Sequence, residues 1–392
     1  MKRFVVSLGF ILMIVGVVHG AAVVPDTSMS ALSADTIGVA TNPAKRSFVR
    51  KVLDYLSIDG GSSSESPSAF SILGGPHYNS VSGLALSVVG AASFRLNGCD
   101  SLSQFSNAQC SATYTTKNFW SLSATSNILL PNKARLIADL AFEYEPLYYW
   151  GMGYDNGNNT ANKTMQKKYM ANVELELLFD VYKALRFGPK LQFNYVNSDT
   201  IAKPELLNGQ DLVLRNYGFG FAVEYDTRDM VTDAKKGCYF HLSQCFRPKF
   251  LWNRYAFSTT DIKANYYSPL WRGCTLALDF WAMFNFGNPS WARMALLGDT
   301  HRMRGYYLGR YRDKHTLNAQ VELRQHIWGR HGMVLWAGGG NVFHNADGFK
   351  HFLPNFGIGY RFAFRRRMNI RFDYGFGKSG QTGFMFSLNE AF

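Results

Sequence analysis

The chain has 392 residues, a formal net charge of +13 and 15% aromatic residues, with 36 Gly, 21 Tyr and 31 Phe. Its mean hydropathy is −0.14, and after the first twenty or so residues no apolar run approaches the roughly twenty that a membrane helix needs. Helical membrane spanning is therefore excluded, so residence in a bilayer has to come from strands. Abundant aromatics and glycines are what a lipid-facing barrel with aromatic girdles uses. The basic balance suits lipid phosphates, lipopolysaccharide or acidic chain segments, and disfavours nucleic acid as the partner of an exported chain.

Met1, Lys2 and Arg3 precede an apolar run from Phe4 to Val18 and the small residues Gly20, Ala21 and Ala22. A charged start, an apolar centre and a small-residue end predict a signal peptide over 1–22, which would take two positive charges with it. Residues 23–69 read as a periplasmic leader. Within it Phe48, Val49, Val52, Leu53, Leu56 and Ile58 recur at helical spacing beside Lys45, Arg46, Arg50 and Lys51, which predicts a short amphipathic helix over 45–58. Gly60 to Pro67 ends it.

From Phe70 onward the period is two. Leu317, Ala319, Val321 and Leu323 alternate with Asn318, Gln320, Glu322 and Arg324, and Ile370, Phe372, Tyr374 and Phe376 alternate with Asn369, Arg371 and Asp373. One apolar and one charged face fit lipid outside and a polar lumen inside. Strands are expected near 70–79, 83–96, 107–116, 119–129, 135–145, 167–180, 185–197, 216–226, 237–248, 256–268, 274–286, 316–328, 332–343, 354–364, 368–377 and 382–392. The fold class is thus an all-β, transmembrane, antiparallel up-and-down barrel over 70–392, with the even strand number, about sixteen, of a bacterial single-chain barrel. The long connections 146–166, 198–215 and 287–315 fall at one end. Short turns at 131–134, 182–184 and 365–367 fall at the other, where 97–106 is unusually long.

Chemistry-bearing residues are sparse. Cys238 faces opposite to His241 and Cys245 in a strand, so the three do not form a metal site. None of the nine His stands in a catalytic constellation, and no enzyme activity, metal or cofactor is expected. The run Gly338 to Gly340 lies within a strand and is no phosphate loop; close approach of an internal loop is its expected reason. In the first strand Gly74, Gly75 and Pro76 weaken pairing with the last, since Pro lacks the ladder amide.

The end of the chain, Gln381-Thr382-Gly383-Phe384-Met385-Phe386-Ser387-Leu388 with Phe392, resembles the C-terminal assembly signal of outer-membrane barrels. Three further segments resemble the barrel of the bacterial surface antigen family, the outer-membrane assembly family that includes BamA and TamA. One is the turn Tyr225-Asp226-Thr227-Arg228-Asp229 followed by Gly237. Another is Met303-Arg304-Gly305-Tyr306, continuing through Gly309-Arg310-Tyr311-Arg312-Asp313, similar to that family's sixth loop. The third comprises Trp336 to Val342, Gly357 to Tyr360 and Arg371 to Gly375, similar to its closing strands. These lie in the family's order over 216–392; the earlier strands match loosely.

The resemblance implies a loop folded into the lumen, with Arg304 of the Arg304-Gly305-Tyr306 tip meeting Glu322 on the inner wall. Some members carry Asp where this chain has Gly338, which leaves a second acidic contact unassigned. The leader is too short for one of the family's periplasmic polypeptide-binding repeats, so a barrel-only relative is expected. Its implied role is to assist insertion or translocation of polypeptides at the outer membrane, with client polypeptides or a separate periplasmic protein as partners. The other reading is a non-enzymatic surface antigen or a lipid- or solute-transport barrel.

Cys99 and Cys110, eleven apart around a polar stretch, are the expected disulfide in an oxidising compartment. Thiol mapping of the mature protein under non-reducing conditions should find both blocked; two free thiols would remove the assignment.

Overall fold

A computed structural model of the chain describes residues 57–59, 68–79, 81–96, 106–131, 134–231, 233–365, 368–388 and 390–392. The expected signal peptide and most of the expected 45–58 helix lie outside them. The last two positions of that helix, Ser57 and Ile58, are instead extended, in a three-residue strand Ser57–Asp59.

Sixteen strands close a barrel. In chain order they are β1 (Ser68–Asn79), β2 (Gly83–Phe94), β3 (Ser106–Thr115), β4 (Trp120–Leu129), β5 (Arg135–Tyr149), β6 (Thr164–Tyr182), β7 (Leu185–Ile201) and β8 (Val213–Asp226). There follow β9 (Gly237–Arg247), β10 (Phe257–Trp271), β11 (Cys274–Gly287), β12 (His315–Trp328), β13 (His331–Phe343), β14 (Leu353–Arg365), β15 (Met368–Gly377) and β16 (Thr382–Leu388). Each pairs antiparallel with its neighbours in sequence, and β16 returns to β1. The period-two reading recovers each strand to within a few residues.

The alternation explains why the sheet closes. Leu335, Phe356, Ile358, Tyr360, Phe372 and Tyr374 are exposed on the outer face, while Asn341, Asn355, Arg361, Arg371 and Asp373 are buried inside. An outside that is apolar and an inside that is charged suit lipid around a polar lumen, and closure leaves almost no free strand edge. Connections at one end are short. Arg272 and Gly273, with Gly273 at φ +78, join β10 to β11. The long connections, among them 150–163, 202–212 and 288–314, gather at the other end as expected.

The last strand differs from expectation. It stops at Leu388 rather than running to Phe392, and residues 390–392 turn into the lumen. Even-numbered residues of β16 face outward, so a continued strand would aim the Glu390 carboxylate at the apolar face, where charge is costly. Turned inward, Glu390 is buried and accepts from Arg361 Nε at 2.8 Å.

A closed barrel, whose backbone hydrogen bonds are nearly all satisfied within the wall, resists detergent. Unboiled protein should migrate faster than boiled protein on a denaturing gel; identical mobility would count against a closed barrel.

Candidate functional site

The 288–314 connection does not stay outside. At its root Trp291 is fully buried against Tyr149, Val196, Leu207 and Leu214, and its Nε1 donates to Asp211 O at 3.0 Å. A two-residue ladder, Ala295 with Asp313 and Leu296 with Arg312, then clips the two arms together. Between them the chain descends into the lumen, with Leu297, Met303, Tyr306 and Tyr311 packed on Val342 of β13 and Leu353 of β14. About thirty residues of loop thus become a plug, its buried contacts offsetting the conformational entropy lost on ordering so long a segment.

At the tip Arg304 is fully buried. Its guanidinium lies 3.8 Å from the centre of the Trp336 ring. One terminal nitrogen donates to Asp373 Oδ2 at 2.8 Å; the other donates to Glu322 Oε1 and, at 3.3 Å, to Gln320 Oε1. The expected pairing of Arg304 with Glu322 is therefore present. The second carboxylate comes from Asp373 of β15 rather than from β13. A Cβ at Gly338 would fall 2.3 Å from Ala319 O and 2.7 Å from Gln320 Cβ, so position 338 has no room for an acidic side chain.

The pair belongs to a larger ionic cluster. Arg324 Nε donates to Glu322 Oε2 at 2.9 Å, Arg361 bridges Asp373 and Glu390, and Arg371 donates to Thr300 O at 3.0 Å. One turn away Arg302 grips Asp279 with two bonds, at 2.8 and 2.7 Å. Such fork-to-carboxylate contacts fix geometry as well as charge.

Glycines let the tip approach. Gly305 sits at φ +115, where a side chain is strained. A Cβ on Gly375 would come within 2.2 Å of Arg304 O, and Gly383, opposite Gly375 in the β15–β16 register, lies beneath Gly305. Gly383, read from sequence as part of the C-terminal signal, therefore also forms the floor under the tip. Tyr306 is buried; its hydroxyl donates to Pro354 O at 2.6 Å and accepts from Lys378 N at 2.8 Å. Burial pushes that hydroxyl up to about 12, so it stays a neutral donor.

The other sequence candidates fall elsewhere. In the β8–β9 turn Arg228 makes a fork with Asp226, at 3.0 and 2.9 Å, while Asp229 Oδ1 accepts from Lys235 N at 2.9 Å. That motif shapes a turn at the short-turn end and does not touch the loop tip. The run Gly338 to Gly340 makes its close approaches to Ala319, Asn318 and Phe352, not to the internal loop, which corrects the expected reason for it. His241 and Cys245 do face the lumen, and no metal-holding group of His, Cys, Asp or Glu exists among the described residues. Cys99 lies outside the described residues; Cys110 is exposed on β3.

At the seam β16 meets β1 at Met385 with Asn79 and Phe386 with Tyr78. No further pairs form among the described residues; continuing that register would bring Leu388 opposite Pro76. Gly74 and Gly75 lie beyond the paired stretch. On the same edge of β1, Ser57, Ile58 and Asp59 pair antiparallel with Leu73, Ile72 and Ser71. Phe392, at the turned-in end, places its main-chain oxygen 2.8 Å from Arg324 and its ring beside Tyr267.

Sequence reasoning missed Asp373, Trp336, Asn355, Arg361 and Glu390 as members of the site. Parity alone places Asp373 and Arg361 on the inner face. What it lacks is the cross-strand register that sets Arg361 opposite Arg371 and Gly359 opposite Asp373.

Comparison with solved structures gives the fold. BamA from Haemophilus ducreyi lacking POTRA domains 1–3 is similar with a TM-score of 0.56 at 12% identity, over 82% of this chain and 70% of that one. CdiB from Acinetobacter baumannii is similar at 0.53 and 11%, over 83% and 60%. CdiB from Escherichia coli is similar at 0.56 and 10%, over 83% and 64%. This chain thus matches less than two thirds of either CdiB chain. No family model matches the chain, and no curated protein matches it. The barrel has the fold of these outer-membrane proteins.

Removing one partner of a buried ion pair costs roughly 3–5 kcal/mol, because the other charge is left uncompensated. Arg304→Ala and Glu322→Ala should each make the loop more protease-sensitive, Arg304→Ala the more so since it also removes one of the partners of Asp373. The double change should be no worse than Arg304→Ala alone; simple additivity would mean the two act independently. Gly375→Ala, by placing a Cβ against Arg304 O, should expose the loop without changing any charge.

Proposed function

We propose that this chain is an outer-membrane barrel that assists insertion or translocation of polypeptides, without enzymatic chemistry of its own. The observation that carries the reading is the seam. Among the described residues, fifteen of the sixteen strand junctions are long ladders, whereas β16 and β1 share two residue pairs. A short junction opens at low cost, and an opened β1 edge offers amides and carbonyls to an incoming strand. Client strands are the proposed partners, with lipid and lipopolysaccharide around the wall and a separate periplasmic protein supplying client handling. BamA and CdiB give the reading its fold context.

A second reading, a surface antigen or a lipid- or solute-transport barrel, is favoured by the space the loop leaves unfilled. A lumen cavity of 520 Å³ lies between the plug and strands β4 to β11.

In a background with the native Cys replaced, Asn79→Cys with Met385→Cys should form a disulfide across the seam. Oxidation should then lower the levels of many other outer-membrane barrels together, with recovery on reduction. If neither locking nor depletion of the protein changes those levels, the insertion reading is wrong and the second stands.

A further inference from the structure

The lumen cavity carries an arrangement that the plug does not use. Among the ion-paired lumen arginines, Arg302, Arg304, Arg324 and Arg361 each contact a carboxylate. Two others on the cavity wall do not. Arg247 of β9 is 1% exposed and donates to Thr259 Oγ1 at 2.8 Å and to Gln192 Oε1, both neutral, while its Nε has no partner among the described residues. Arg293, at the root of the plug, makes no side-chain hydrogen bond or ion pair among the described residues, and its buried Nε is likewise unmet.

The cavity is also lined by Asp139, Glu174, Asp261 and Asp299, none of which forms an ion pair with either arginine among the described residues. Glu174 accepts from Lys190 and from Gln192 Nε2 at 2.6 Å. Asp261 accepts from Trp281 Nε1 at 2.8 Å. The Arg293 main chain is held in a fixed relation to Arg247: Arg247 donates to Thr259, Thr259 donates to Asn285 Oδ1 at 2.6 Å, and Asn285 Nδ2 donates to Arg293 O at 3.1 Å. A cation withdrawn from water without an anion is costly. Two guanidiniums sharing one cavity match a divalent tetrahedral oxyanion, since each offers a planar fork of donors.

We propose that Arg247 and Arg293 form a phosphate-binding site in the lumen, with room in the cavity for whatever group carries the phosphate. One arginine belongs to the wall and the other to the plug, so an occupied site ties the root of the loop to β9. The phosphate arrives either free or on the headgroup of a glycolipid.

The test uses the full chain folded in detergent, with folding verified by heat-modifiable migration, and inorganic phosphate as the probe at constant ionic strength. Calorimetry should show one saturable site for phosphate and none for chloride. Arg293→Gln should weaken binding at least tenfold. Because that side chain makes no protein bond, the variant should fold normally; Arg247→Gln, which gives up bonds to Thr259 and Gln192, should weaken phosphate binding similarly and is checked for folding in the same way. Lys263→Gln, elsewhere on the same cavity, should change affinity less than twofold. Absence of saturable binding, or unchanged affinity in Arg293→Gln, overturns the site. With the site established, displacement of phosphate by micelles carrying a phosphorylated glycolipid, but not its dephosphorylated form, assigns the lipid source; failure of both to displace assigns free phosphate. Neither readout depends on polypeptide insertion, so the proposed function stands or falls separately.

Discussion

A guanidinium taken fully out of water inside a barrel has to be met by carboxylates, and the plug of this protein is built on meeting that demand. Arg304 reaches Glu322 on β12 and Asp373 on β15, and its plane rests on Trp336 of β13. A loop tip cannot satisfy those three partners at once from any other position. Buried ion pairs contribute little net stability over an apolar replacement, but breaking one is expensive. The cluster therefore acts chiefly to specify where the loop sits. Arg302, Arg324, Arg361 and Arg371 extend the same logic to the rest of the plug and to the turned-in end of the chain. Charge at the tip adds to the apolar packing of Trp291, Leu297 and Met303 in placing the plug, while the outer wall is largely apolar in its lipid-facing rows.

Backbone shape is the second requirement. The plug lies against the wall at main-chain distance, which only residues without a Cβ permit. Gly375 and Gly383 face one another on β15 and β16 and accept Arg304 and Gly305 between them. β16 forms one side of the seam and β15 is its neighbour. The tip is thus braced on the part of the barrel with the weakest closure, and the ordering of the plug and the condition of the β16–β1 junction are physically linked. Displacing the tip removes packing from β16, the shortest of the strands, at seven residues. Conversely, a strand inserted at the β1 edge would press on the same floor.

The strands were readable because a barrel wall is a local pattern repeated. Phe372 and Tyr374 outside, with Arg371 and Asp373 inside, follow from period two alone, and the same holds for Glu322 against Val321. The end of β16 was not readable in this way: Phe384, Phe386 and Leu388 continue smoothly in alternation toward Phe392, and only the pairing of Glu390 with Arg361 makes the turn inward intelligible. The Gly338 to Gly340 run shows the same limit. A need for close approach was evident, but the neighbour turned out to be β12 and Phe352 instead of the loop.

By itself, then, the sequence determined the class of fold, the strand boundaries to within a few residues, the face each side chain takes, and the pairing of Arg304 with Glu322 through a recognised loop motif. Only the tertiary structure decided that Asp373 supplies the second carboxylate, that Gly383 forms the floor of the tip, that the β16–β1 junction is two pairs long among the described residues, and that Arg247 and Arg293 share a cavity without a carboxylate paired to either. The physical reason is one of range. Which way a side chain points is fixed by its neighbours along the strand, one residue at a time. Which charges meet across a lumen depends on the register of every intervening strand and on where a long loop comes to rest, and no local period carries that information.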